Sequence, residues 1–234
     1  VSIGGKLQRV ELRARMTGSG ASCVLRGVTH VDGQELVDHH VRVDHEAPHG
    51  SSNQDYRALL SGRGTSVFDG QVIVHRTGPG AEAHQLSRNL LLSESANAYT
   101  KPHLEIDHEE VVASHGATVG ALDEDALFYL RSRGVAKDAA EEMLTYAFIR
   151  DALDSIPHDA TRSAAMDALS ERLGEGLRMG ALEQDDALAG LALGNQRLDL
   201  PEVADVQGPQ ASEVGLGQGE QVLAEQGVGL IGAQ

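Results

Sequence analysis

The chain has 234 residues, 41% of them hydrophobic and 3% aromatic, with no Trp and a formal net charge of -16. A surface that acidic repels nucleic-acid phosphates and anionic lipid, so neither nucleic acid nor a membrane is an expected partner; no apolar run approaches the roughly 20 residues that a spanning helix needs. One cysteine excludes an internal disulfide framework and any zinc or iron–sulfur site built from this chain's thiolates alone, and it favours a cytoplasmic setting.

Residues 10–16, 41–45, 67–74 and 104–107 alternate apolar and polar, the last-but-one with a break at Gly70. Alternation turns one face inward and one outward, as in half-buried strands. Clusters of Gly, Ser, Asp and Pro at residues 17–20, 32–33, 62–64 and 77–80 supply the turns between them. Many short strands admit a sandwich, a barrel or a solenoid. Hairpin turns of the Asn-Gly type are few, and the inward positions are mostly small or β-branched, which favours stacked coils, although no strict sequence period is present. No helix is expected before about residue 120.

At Asp123 the period changes. Asp123 is placed to cap a helix whose first turn carries Glu124 and Asp125. Gly134 then stops the helix. A second helix, about residues 137–153, carries an apolar stripe of Ala140, Met143, Leu144, Ala147, Phe148 and Ala152, and Pro157 closes it. Two short helices cannot bury their stripes on each other alone, so they are expected to pack on the last coil of the β region or on a partner. A third helix is expected over about 159–173. Beyond Gly174 the composition turns to Gly, Gln, Glu, Leu and Ala, and a partly helical or disordered tail is expected, with one helix at about 182–193. The domain expectation is therefore a β core over 1–121, a small helical domain over 122–173 and a tail over 174–234.

Histidine is the abundant functional side chain, 11 in all. His39, His40, His45 and His49 lie in one segment with Asp38, Asp44 and Glu46, a mixture that suits zinc, iron or manganese. His39 and His45 share a strand parity; His40 faces the other way. One reading is a metal site at His39, His45 and His49 serving a metal-dependent enzyme on a β-helix or β-barrel; the weightier reading is framework histidines of the coils. His115 sits among the small residues Ser114, Gly116, Ala117 and Thr118, where an imidazole is accessible. Cys23 lies beside the apolar Val24 and Leu25 and reads as a small core residue. A P-loop, a Gly-x-Ser-x-Gly elbow and a His-Glu-x-x-His helix are all absent from the sequence. A β-helix enzyme acting on acidic polysaccharide is disfavoured by the overall charge.

The run His115-Gly116-Ala117-Thr118-Val119-Gly120, followed by Leu122, Asp123 and the aromatic pair Phe128-Tyr129, resembles the C-terminal signature of the SufB/SufD family of iron–sulfur cluster assembly scaffolds, on its SufD side. Residues 38–49, 89–93 and 100–106 are similar to further segments of that family. The resemblance implies a right-handed parallel β-helix, or β-solenoid, followed by a small C-terminal helical domain. It implies a non-catalytic scaffold that pairs with a SufB-like subunit and docks a SufC-like ATPase, with a homodimer as the form open to the isolated chain. It places His115 at the partner interface, near a transient iron or iron–sulfur cluster that the chain does not hold alone. It assigns ATPase docking to Leu127, Phe128, Tyr129, Leu130, Arg131, Met143, Leu144, Ala147 and Phe148. Many members carry a cysteine where this chain has Ala113, so sulfur is expected to arrive through the partner. Members also carry a helical N-terminal region, relative to which the chain is expected to be truncated.

Overall fold

The computed structural model describes residues 1–173, so the helix expected at 182–193 and the rest of the tail lie outside the described residues. The strands are β1 (Ser2–Ile3), β2 (Leu7–Met16), β3 (Ser22–Val31), β4 (Leu36–His45), β5 (Ser51–Leu60), β6 (Thr65–Val74), β7 (Ala81–Leu91), β8 (Asn97–Ile106) and β9 (Val111–Gly120). Odd and even strands separate into two sheets, β1-β3-β5-β7-β9 and β2-β4-β6-β8, in which every pairing is parallel. Each coil therefore contributes one strand to each sheet, and the next coil stacks on it in register. This is the parallel β-solenoid that the resemblance implies.

Parallel stacking needs no hairpins, which is why Asn-Gly turns are scarce. The corners are tight and repeat from coil to coil. Gly20, His49 and Gly80 occupy the same corner with φ of 70°, 58° and 66°. Their amides run as a ladder, Gly20 N–H to Pro48 O, His49 N–H to Pro79 O and Gly80 N–H to Glu110 O. His49 thus takes a left-handed position that its two neighbours in the stack fill with glycine, and its ring lies where a Cβ on Gly80 would sit. That is its structural role.

Between the sheets the space is filled in layers. Val31, Val37, Ala58, Leu60 and Ala96 form one cluster; Val72, Val74, Ala81 and Ala83 form another. Rings also meet in the interior: His39 lies 5.7 Å from Tyr56 between centroids, and Tyr56 lies 4.8 Å from Phe68. Gly70 lies against Phe68, and a Cβ there would fall 2.6 Å from the ring. The apparent break in alternation at Gly70 is therefore room for an aromatic side chain, and β6 runs through it unbroken.

Three helices follow, α1 (Glu124–Ser132), α2 (Lys137–Asp154) and α3 (Asp159–Leu173). Asp123 caps α1, accepting from the amides of Asp125 and Ala126, and Gly134 at φ 90° ends it, as expected. The packing differs from expectation. α2 and α3 do not rest on the last coil: they fold back over the outer face of the five-stranded sheet. Tyr146, Ile149, Ala152 and Leu153 of α2, with Ala165 and Leu169 of α3, share one core with Val28, Leu59 and Leu90 of β3, β5 and β7. Arg57 of β5 donates to the Phe148 carbonyl at 2.5 Å, and Arg172 of α3 forms a two-pronged pair with Glu35 at 2.7 and 2.8 Å. The helices thus complete the core of the β region.

Candidate functional site

The solenoid ends at β8 and β9, the outermost strand of each sheet. Neither has a second neighbour among the described residues, so one row of backbone N–H and C=O groups on each is open to pairing. Exposed apolar side chains cluster on this coil: Tyr99 at 60% and Ile106 at 43% on β8, Val112 at 61% and Val119 at 42% on β9.

His115 lies on this open strand. It pairs in register with Gln85 of β7, which in turn donates from Nε2 to Gln54 Oε1 at 3.1 Å inside the stack. Ala113, two residues before, packs with the inner cluster of Val72 and Val74, so His115 shares the inward parity while its ring remains exposed at the end of the coil. Partial burial, and then the nearby charge of His103, lower its pKa from the ordinary 6.5. At neutral pH the imidazole is therefore uncharged and offers a lone pair, the form that ligates iron. Ser114 beside it is hydrogen-bonded to His84 Nδ1 at 2.8 Å.

Cys23 is on β3, three strands away within the same sheet, about 14 Å at ordinary strand spacing. It is half-buried, and burial raises its thiol pKa, which disfavours the nucleophilic thiolate.

The histidines 39, 45 and 49 are not brought together. His39 and His45 do share the inward face, 6% and 0% exposed, but six residues of extended strand hold them about 20 Å apart. Each is engaged by a hydroxyl, His39 Nε2 with Ser2 at 3.0 Å and His45 Nε2 with Ser52 at 2.8 Å. His49 stands in the corner, and His40 faces outward to Asp38 at 2.9 Å. Framework roles account for all four.

Among the described residues, stacking does gather Asp44, Glu46 and His75 closely enough to hold a metal ion. Sequence reasoning saw the two carboxylates and missed His75, because the coil period brings them together: Asp44 and His75 are 31 residues apart, as are Arg13 and Asp44 and Arg15 and Glu46. Arginines already occupy this group. Arg42 binds Asp44 at 2.7 Å, Arg13 adds a contact at 3.2 Å, and Arg15 holds Glu46 through two bonds at 2.7 and 2.8 Å. Hydrogen bonds from Arg42 above all keep the Asp44 carboxyl far below the usual carboxylate range. The group is an ion-pair ladder that ties successive coils.

The expected docking residues divide into two sets. On α1, which has no buried residue, Phe128 is 74% exposed and Tyr129 42%, the latter with Arg133 over its ring at 4.6 Å; Leu127 and Leu130 are half-covered and Arg131 is exposed. On α2, Met143, Leu144, Ala147 and Phe148 are half-buried, Phe148 packing against the core shared with the sheet, whose buried α2 members are Tyr146, Ile149, Ala152 and Leu153.

Comparison with known proteins agrees with this arrangement. The SufBD core domain of SUF-system FeS cluster assembly is matched over residues 1–148. The chain is similar to the iron–sulfur cluster assembly SufBD family protein slr0076 of Synechocystis, 36% identical over 67% of this chain and 35% of that protein. It is also similar to the iron–sulfur cluster assembly protein SufD of Escherichia coli, 28% identical over 75% of this chain and 42% of that one, and to SufD of Bacillus subtilis, 30% identical over 53% and 29%. The chain thus spans less than half the length of these curated relatives. A chain that folds as a parallel solenoid flanked by helices, carries His115 on its terminal coil and is matched along the core domain belongs to the SufBD family of iron–sulfur cluster assembly proteins.

Proposed function

We propose that the chain acts as a SufD-type scaffold subunit: it pairs through the β8–β9 end of its solenoid with a SufB-like subunit and presents α1 to a SufC-like ATPase. The observation that carries the reading is the open terminal coil, which has two strand edges without a second neighbour among the described residues and carries four exposed apolar side chains and an accessible, uncharged His115. A second solenoid extends both sheets without any rearrangement of this one, since strand addition needs only a free edge. Such a contact carries His115 into the seam, where its imidazole supplies one ligand to an iron or nascent cluster whose remaining ligands come from the partner. The chain itself does not turn over a substrate on this reading. Its own cysteine is remote and its thiol pKa is raised, so sulfur enters from the partner's side. A cytoplasmic setting suits a chain with one thiol and no disulfide.

The test is co-expression with SufB-like and SufC-like partners followed by purification of the complex. His115→Ala is expected to leave the complex assembled and to reduce iron and cluster loading, read by iron analysis and visible absorption. Normal loading in that variant removes His115 from the mechanism. Failure of any ATPase or SufB-like protein to co-purify with the unaltered chain overturns the scaffold reading.

A further inference from the structure

The outer face of the five-stranded sheet carries a groove of about 300 Å³ beside the strip that α2 covers. Its walls come from four adjacent strands, with Arg26 on β3, Asn53 and Asp55 on β5, His84 and Arg88 on β7, and Ser114 on β9. Positive charge concentrates here against the overall charge of -16. Arg57, Arg88 and Arg26 lie on neighbouring positions of one face, and the groove offers Asp55 as its single carboxylate.

That carboxylate is committed elsewhere. Arg57 is 4% exposed and takes Asp55 at 2.9 Å, then the Phe148 carbonyl, then Asp151 at 3.5 Å on α2. Arg88 reaches Asp55 only at 3.7 Å, too far for a hydrogen bond. Its Nε is buried and has no partner. Arg26 is exposed and makes no ion pair among the described residues. The groove therefore presents two guanidiniums, Arg26 and Arg88, that its one carboxylate does not hydrogen-bond, above a floor of Leu86 and Gly116.

We propose that this groove binds a small oxyanion, a phosphate, sulfate or carboxylate, held between the guanidiniums of Arg88 and Arg26. Forked guanidinium donors match the paired oxygens of such anions, and a bond from a charged donor in a shielded groove is about twice as strong as a neutral one. Burial and then the adjacent Arg57 charge disfavour the protonated form of Arg88 and outweigh the support of Asp55 and Asp151, so an anion beside it relieves a penalty that the free protein carries. His84 and Ser114 are satisfied by each other at 2.8 Å and form the wall without competing for the ligand. The site does not depend on the scaffold reading, since all of its residues are on this chain.

The experiment uses the isolated full chain. Inorganic phosphate is titrated against chloride at constant ionic strength, with binding followed by calorimetry and by the rise in Tm. Saturable binding is expected. Arg26→Gln alters an exposed side chain with no partner, so the Tm without phosphate is expected to stay unchanged while the phosphate Kd rises about tenfold. Arg88→Gln is expected to abolish saturation. A parallel titration with acetate distinguishes the tetrahedral from the planar anion: the one that saturates at the lower concentration names the ligand chemistry. Absence of saturation by either anion, or equal affinity in the parent and both variants, overturns the proposal. Because no partner protein is present, that failure leaves the SufD-type reading untouched.

Discussion

His30, His39 and His45 are 1%, 6% and 0% exposed, and the side-chain hydrogen bond of each is to a serine hydroxyl rather than to a carboxylate, so burial outweighs the more distant acids near His30 and His39. Burial accordingly lowers all three pKa values from 6.5. The unfolded chain then binds more protons than the folded one below that value. Their contribution to stability is complete above 6.5 and is lost as the pH falls from there through the depressed folded-state values. Asp44 does not enter this window, since its titration lies below its ordinary 3.8. Urea unfolding is thus expected to show lower stability at about pH 5.5 than at about pH 7.5, with a shallower dependence in His45→Gln. A midpoint that is flat or rises on acidification removes the buried histidines as the cause. His39 and His45 admitted a metal reading in the sequence because spacing and parity were visible there; Ser2, which satisfies His39, lies 37 residues away, and Ser52 reaches His45 across the corner that follows it.

At the scale of elements, alternation identified strands in the four-stranded sheet and passed over those of the five-stranded sheet. The burial patterns explain this. β2 and β8 alternate cleanly, with one face inward and one in solvent, whereas the inward positions of β5 and β7 include the polar Ser52, Gln54, Gln85, Ser87 and Asn89, and the ends of these strands at Leu59 and Leu90 are covered by the coil interior on one face and by α2 and α3 on the other. A strand buried on both faces has no polar face to reveal its period. α2 misleads for the same reason: it meets the sheet, α1 and α3 at once, so several apolar stripes coexist, and the one facing the sheet is Tyr146, Ile149 and Leu153. Removal of α1 and α2 would therefore expose the core of the sheet, and point substitutions on α1 are the cleaner probe of docking. Phe128→Ser with Tyr129→Ser is expected to leave unfolding unchanged and to weaken ATPase binding by roughly 2 kcal/mol, about 30-fold. Unchanged affinity places the docking face elsewhere.

The whole molecule is a stack in which each coil contacts its neighbours, a quasi-one-dimensional arrangement that by itself unfolds from its ends. The helices change that. α2 and α3 reach from β7 back to β3 and tie coils that do not touch. Ile149 is fully buried at this junction, and Ile149→Ala is expected to cost about 2–5 kcal/mol, read as a lower urea midpoint. Hydrogen exchange should then show protection falling in β3, β5 and β7 together. A loss confined to α2 would show that the helices do not couple the coils.

By itself the sequence determined the chemistry that is local: the turn residues at the corners, the cap at Asp123, the helix stop at Gly134, the three helices and the motif around His115 that marks the family. Those features depend on neighbours a few positions away, and the chain carries them wherever it folds. Only the tertiary structure decided what depends on register between coils. It set which arginine meets Asp44, where α2 lands on the sheet, which hydroxyl satisfies His39, and how Arg26 and Arg88 come to share a groove. Partners one coil apart in the stack lie some 31 residues apart in the chain, as Arg13 and Asp44 do, and the irregular corners leave no strict period from which the pairing could be read.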